Sequence, residues 1–205
     1  MSAPRHGLLV LAAGASRRLG ENKQLLRLDG ETLVRRTARL GLATRPAQAL
    51  IVLGAAASAV AAEVADLPVA TVCCPDWQAG LGASLATGLR ALDVDIDGAL
   101  VVLCDQPGLD AGHLQALLAA WRADPGGAAA SAYAGVLGVP AVLPRAWFAE
   151  LAAGRDDRGA RDLLRQRATR VALVPAPALA HDLDTPAQRE NWAARSSLGP
   201  KGSGE

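Results

Sequence analysis

The residues best suited to chemistry gather early in the chain. Ser16, Arg17, Arg18, Gly20 and Lys23 follow the apolar run Leu8–Leu11 and the small residues Ala12, Ala13 and Gly14. A short apolar run reads as a buried strand, and a glycine at its end lets the backbone turn sharply or approach a ligand closely. Backbone N–H groups in such a loop cradle phosphate oxygens, while guanidinium and ammonium groups offset their charge. The chemistry on offer is polyphosphate binding. Two familiar phosphate loops fall on spacing: no G-x-x-x-x-G-K-[ST] string is present, and Gly14 and Gly20 are too far apart for G-x-G-x-x-G. An ordinary strand–loop–helix connection with surface arginines remains the alternative for the loop alone.

Carboxylates supply the second ingredient. Asp105 directly follows the apolar run Gly98–Cys104. A carboxylate there costs free energy unless a cation or hydrogen-bond donor meets it. Mg²⁺ is commonly held by one or two carboxylates together with substrate phosphates and water. Asp105 beside a phosphate loop fits that description better than a cap for a helix starting near Asp110, because several residues intervene. Asp182 and Asp184 alternate onto one side of an extended segment ahead of Pro186. For Asp184 an N-cap role with Pro at the first helical position is an equal alternative.

Positioning these groups requires strands that alternate with helices. Strands are expected at 8–11, 50–53, 69–73, 98–104, 128–133, 136–143 and 171–174. Helices are expected at 31–42, 55–65, 84–92 with Ser84 as cap, 111–123, 145–153, 158–166 and 185–194. The loop 75–82 is rich in turn residues. This alternation implies βαβ units, hence an α/β fold with a mostly parallel sheet covered by helices on both faces. The organisation expected is one domain over residues 1–195 with a flexible tail over 196–205.

Composition narrows the field. Of 205 residues, 51% are hydrophobic but only 3% aromatic, so the core must be mainly Leu, Val and Ala. A net charge of +1 without a basic, aromatic-interleaved stripe lacks the footprint of a nucleic-acid binder. Cys73, Cys74 and Cys104 form no C-x-x-C pair and read as small buried residues in a reducing compartment. The apolar start is too short for a signal peptide, and cleavage near Ala13 would destroy the loop. The run Ala49–Ala62 is too short and too alanine-rich to span a bilayer. A cytoplasmic protein without membrane contact is expected. His6, His113 and His181 form no metal-ligand pattern and are read as structural or surface residues.

Taken together, the polar positions resemble a known family. Leu11, Ala12, Ala13, Gly14, Ser16, Arg18, Gly20 and Lys23 match L-A-A-G-x-S-x-R-x-G-x-x-K. Gly80-Leu-Gly82-Ala-Ser84-Leu, Cys104-Asp-Gln-Pro107, Gly138-x-Pro140, Asp157–Arg161 and Asp182-Leu-Asp-Thr-Pro186 follow in the family's order. Over residues 7–192 the chain resembles the MobA-like nucleotidyltransferases, most closely the molybdenum cofactor cytidylyltransferase branch. The resemblance implies a three-layer α/β/α Rossmann-like fold, Mg²⁺ dependence, and transfer of CMP from CTP to molybdenum-bearing molybdopterin with release of pyrophosphate. A recipient molybdoenzyme or its chaperone is an implied partner.

Carried onto this sequence, the resemblance makes Arg18 and Lys23 the triphosphate holders. Asp105 becomes the metal carboxylate, with Asp182 or Asp184 as its companion. Leu11–Gly14, Ser16, Gly80, Gly82 and Ser84 fall around the nucleotide, and Gln106 is placed to orient phosphate or acceptor. Ala12-Ala13-Gly14 resembles the cytidylyl pattern, where guanylyltransferases tend to read L-A-G-G. Two departures fall on the acceptor side: Arg155-Asp156-Asp157-Arg158 replaces a Gly-Asp-x-Gly lead-in, and Val139 stands where relatives often carry a polar residue or His. They leave open another acceptor, such as a sugar phosphate, or another NTP. A non-catalytic nucleotide-binding protein on the same fold is a further alternative. A Rossmann oxidoreductase lacks both its glycine fingerprint and an acidic residue after Leu53.

Overall fold

The apolar runs become the centre of a seven-stranded sheet in the computed structural model, which describes residues 3–16, 20–153 and 159–180. In chain order the elements are β1 (His6–Ala12), β2 (Arg27–Leu28), β3 (Glu31–Thr32), α1 (Leu33–Leu42), β4 (Gln48–Leu53), α2 (Ala57–Glu63) and β5 (Ala70–Cys73). Then come α3 (Leu81–Ala91), β6 (Gly98–Leu103), α4 (Ala111–Ala123), β7 (Ala128–Tyr133), β8 (Val136–Pro144), α5 (Phe148–Ala153), α6 (Gly159–Gln166) and β9 (Val171–Pro175). The sheet order is β5-β4-β1-β6-β8-β7-β9. β1 pairs in parallel with β4 and β6, β4 with β5, and β7 with β9, whereas β8 runs antiparallel to both β6 and β7. The mostly parallel sheet is therefore as expected. The expected helix over 185–194 lies outside the described residues.

Alternation along the strands divides the core in two. Leu8, Val10 and Ala12 of β1 pack with Leu100 and Val102 of β6 in one cluster, which also holds Leu33, Val34, Leu114 and Trp121 from α1 and α4. Leu9 and Leu11 turn to the other face, with Leu85, Leu89, Leu151 and Leu164 from α3, α5 and α6. Leu8, Leu9 and Val10 are all 0% exposed, each contributing roughly 1.5–3 kcal/mol of apolar burial.

Three local expectations need correction. Residues Glu31–Thr32 are not the start of a helix; they pair with Arg27–Leu28 across Asp29 and Gly30, both at positive φ (53° and 82°). An Asp-Gly pair of that conformation is the turn that suits a two-residue hairpin, and it delays α1 to Leu33. Ser84 does not cap α3: the helix begins at Leu81 after Gly80, leaving Ser84 inside it and 4% exposed. Cys73 is exposed, unlike Cys74 and Cys104, because β5 is an edge strand whose residues largely face outward.

The histidines are structural, as read, where they are described. His6 is buried, and its Nε2 lies 2.9 Å from Thr44 Oγ1. That hydroxyl already donates to the Gly41 carbonyl, so the imidazole is the donor. Burial, helped by the charge of Arg122, pulls the His6 pKa down to about 4. No described helix is long and apolar enough to cross a membrane.

Candidate active site

The sheet order reverses at β1: β4 and β5 lie to one side and β6 to the other. Ligands of open α/β sheets bind outside the carboxyl ends of the strands at such a point. Both the 13–22 loop and Asp105 emerge there, one after β1 and one after β6. Lys23 Nζ donates to Asp105 Oδ2 at 2.5 Å, closing the gap between them, with side chains only 18% and 14% exposed.

The loop is held by its own side chains. Ser16 has a positive φ of 51°, and its Oγ accepts from Lys23 N at 3.0 Å while facing Gln24 Oε1 at 3.5 Å. Gln24, 3% exposed, donates from Nε2 to the Gly14 carbonyl at 2.7 Å. Gly14 is not the sterically obligatory residue, since an added Cβ would meet only Gln24 Nε2 at 3.9 Å. Gly54 is the tighter constraint: a Cβ there would fall 2.4 Å from the Ala13 carbonyl oxygen, which accepts from Ala55 N. The nitrogen-rich Arg17 and Arg18 lie outside the described residues, so the loop's own guanidinium groups are not placed.

Asp105 offers one oxygen still unused. Its Oδ1 is buried and without a hydrogen-bond partner among the described residues. A buried anionic acceptor in that state is costly, and a hard divalent cation such as Mg²⁺ or Mn²⁺ is the ligand type that carboxylate oxygen suits. Asp105 thus fits a metal. The described residues contain no cluster of three or more His, Cys, Asp or Glu side chains, and Asp182 and Asp184 lie outside them. The neighbouring Cys104 thiol is pushed up to about 12 by burial and by the Asp105 charge, so it stays protonated and takes no part as thiolate.

Two clefts share Leu11 and Leu81, and each takes in a neighbour of this machinery along the chain: Gly14 and Ala15 of the loop in the first, Gln106 next to Asp105 in the second. The first, about 270 Å³, is lined by Ala13, Gly14 and Ala15 from the segment after β1 and by Trp77, Gln78, Gly80 and Ser84 from the segment before and at the start of α3. Gly80 has φ 107°, a conformation other residues rarely adopt, and it turns the chain from the Trp77–Ala79 turn into α3. Ala12 is placed differently from its neighbours, with its side chain in the core cluster on the opposite face. The second cleft, about 430 Å³, is walled by Gly82, Gln106, Tyr133, Gly138, Val139 and Arg161.

That second cleft has a polar scaffold. Gln106 is 3% exposed and donates from Nε2 to the Val139 carbonyl at 3.0 Å and to Tyr133 Oη at 3.3 Å. Tyr133 donates to the same carbonyl at 3.2 Å. The Val139–Pro140 bond is cis, and the Pro140 carbonyl accepts from the fully buried Ser131 hydroxyl at 2.6 Å. Ser131 Oγ must then accept from His113 Nε2, 2.7 Å away. Burial lowers the His113 pKa, against the opposing charge of Asp110. Gln24, Trp77, Tyr133 and the His113–Ser131 pair were not singled out from sequence. Trp77 alone had an available signal, as an aromatic residue in a loop of a chain with few aromatics.

Comparison with known proteins agrees with this geometry. Residues 8–171 match the MobA-like NTP transferase domain, and the chain belongs to that family. It is 36% identical over 189 residues to the nicotine blue oxidoreductase of Paenarthrobacter nicotinovorans, covering 86% of this chain and 91% of that one. It is 32% identical to the purine catabolism protein PucB of Bacillus subtilis, covering 77% and 79%. Over 56% of this chain and 55% of the relative, it is also 32% identical to a probable molybdenum cofactor guanylyltransferase of Synechococcus elongatus. The crystal structure of Rv0371c from Mycobacterium tuberculosis superposes with a TM-score of 0.81 at 30% identity, covering 93% and 98%. A second structure of that protein, in complex with manganese, has a TM-score of 0.75 at 26% identity, covering 91% and 97%. The Rossmann-like nucleotidyltransferase fold is thus shared over nearly the whole chain.

Proposed function

We propose that this member of the MobA-like NTP transferase family transfers CMP from CTP to molybdenum-bearing molybdopterin, forming the cytosine dinucleotide and pyrophosphate. The observation that carries the reading is the Lys23–Asp105 pair, which ties the segment after the β1 loop to the carboxyl end of β6, with Oδ1 of Asp105 left buried and unpartnered among the described residues. The transferase class follows from family membership. CTP and molybdopterin are what the resemblance of the ordered motifs and of Ala12-Ala13-Gly14 implies; one relative, a probable molybdenum cofactor guanylyltransferase, supports the molybdenum cofactor rather than the choice of CTP.

In this reading the donor nucleoside occupies the first cleft and the acceptor the second. The acceptor's phosphate oxygen forms a bond to the α-phosphorus as the bond from that phosphorus to the β-bridging oxygen breaks, and pyrophosphate leaves in line. Such a reaction needs positioning and charge neutralisation rather than a protein nucleophile. Lys23 neutralises the triphosphate, and Ser16 with Gln24 keeps Lys23 and the loop in register. Arg18 is assigned the same charge-neutralising role from the motif. Asp105 Oδ1 would hold Mg²⁺, with Asp182 or Asp184 as companion, and the metal when bound supplies further neutralisation of the phosphates. Gln106 orients the acceptor or its phosphate.

The test is pyrophosphate release with Mg²⁺, each NTP in turn, and either molybdenum-loaded molybdopterin or a panel of sugar phosphates. Release specific to CTP and molybdopterin is expected. Faster release with GTP, or with a sugar phosphate, replaces the specificity while keeping the class. No release with any pair, coupled with redox turnover of a dye such as nicotine blue, would transfer the chain to the chemistry named for its oxidoreductase relative.

A further inference from the structure

The chain has only four Trp, one Tyr and one Phe. Trp121, Trp147 and Phe148 are buried in the two core clusters at 0%, 2% and 6% exposure, and Trp192 lies outside the described residues. The remaining two line the clefts: Trp77 the first, Tyr133 the second. In a chain this poor in aromatics, an indole left out of the core requires a reason.

We infer that Trp77 is the platform against which the base of the donor nucleotide stacks, an inference that rests on the NTP-donor reading above. Its setting is rigid. The turn Trp77–Ala79 is closed by Ala79 N donating to Asp76 O at 2.9 Å and Gly80 N donating to Trp77 O at 3.1 Å. The indole also packs on the core cluster beneath α3, so it is braced while it lines the cleft. The same cleft is lined by Ala13, Gly14 and Ala15, whose small side chains leave room for a ligand. A cleft that combines one indole with small residues suits a heteroaromatic ring. Stacking of this kind tolerates any base, because every base has a π-face. Trp77 therefore supplies affinity for the nucleoside, and choice among bases is left to the polar Gln78 and the bulk at Ala13 beside it.

Calorimetric titration of CTP with Mg²⁺, and of tripolyphosphate with Mg²⁺ as a ligand lacking a base, tests this. In Trp77→Leu the CTP Kd should rise roughly tenfold or more while tripolyphosphate binding is unchanged. Trp77→Phe should bind CTP within a few-fold of the parent. Fluorescence excited at the indole edge should be quenched by CTP in the parent and not in Trp77→Phe. Unchanged CTP affinity in Trp77→Leu overturns the platform, as does equal loss of CTP and tripolyphosphate binding, or a quench that survives in Trp77→Phe. A parent protein that binds no NTP at all overturns the donor reading itself.

Discussion

The two clefts meet at Leu11 and Leu81 but are built from different material. The first draws mostly on small residues from two short stretches, Ala13, Gly14 and Ala15 with Gly80 and Ser84, joined by Gln78 and a single indole. The second is made of side chains from distant segments, with Gln106, Tyr133, Val139 and Arg161 brought together by β6, β7, β8 and α6. Small residues bring few polar side-chain groups to a ligand, so a cleft built from them offers few positions at which its chemistry can be changed. A cleft built from side chains can be re-specified one residue at a time. Relatives with names as different as an oxidoreductase and a purine catabolism protein are what that asymmetry allows.

If the clefts cooperate in one reaction, the Lys23–Asp105 pair must matter to both. Asp105→Asn keeps the shape of the side chain and removes its charge. Turnover is expected to fall roughly a thousandfold or more, the scale seen when a charge-stabilising group or metal carboxylate is removed. Circular dichroism should show the fold retained. Turnover within tenfold of the parent would mean that the pair does not join the clefts into one active site. Lys23→Met should act next in size, lowering kcat/KM about a hundredfold and abolishing protection by tripolyphosphate, an effect confined to the donor side.

On the acceptor side, Gln106→Leu deletes both hydrogen bonds to Val139 O and Tyr133 Oη. The Val139 carbonyl keeps Tyr133 as a donor, and the loss of the two Gln106 bonds costs about 1–3 kcal/mol. The expected result is an acceptor KM raised about tenfold, with the CTP KM within twofold of the parent. Equal changes in both constants would show that the two clefts do not divide donor from acceptor.

The first cleft was also the more legible from sequence, for a related reason. Ala13, Gly14, Gly80 and Ser84 are contributed by two short contiguous stretches, and contiguous residues form a motif that can be read. The strands and α-helices that carry them followed the periodicity of their apolar runs, and the described strands and α-helices were anticipated except β2 and β3. That hairpin is two residues on each side, too short for any periodicity, and only Asp29-Gly30 announced it. Ser84 misled because a serine ahead of an apolar run resembles a cap, whereas the helix starts three residues earlier at Leu81, just after Gly80. The Ser131–His113 and Tyr133–Gln106 contacts join residues 18 and 27 positions apart. No local spacing rule reports such pairs. Arg18, Asp182 and Asp184 lie outside the described residues, and their roles rest on the motif.

Gln24 gives the smallest effect and the finest test of how the donor side works. It sits between Lys23 and Leu25-Leu26, where its amide had no sequence signal, yet it is 3% exposed and spans the loop from Gly14 O to Ser16 Oγ. Gln24→Leu fills the same volume without bonding to either. A net hydrogen bond is worth about 1 kcal/mol, and the Gly14 bond at 2.7 Å is the better of the two. The CTP KM should therefore rise by about fivefold, the acceptor KM should stay put, and kcat should change little because Lys23 still reaches Asp105. If Gln24→Leu instead lowered kcat as far as Lys23→Met does, the loop's geometry and the cation's position would be one property rather than two. The backbone of the first cleft would then be set by a side chain after all.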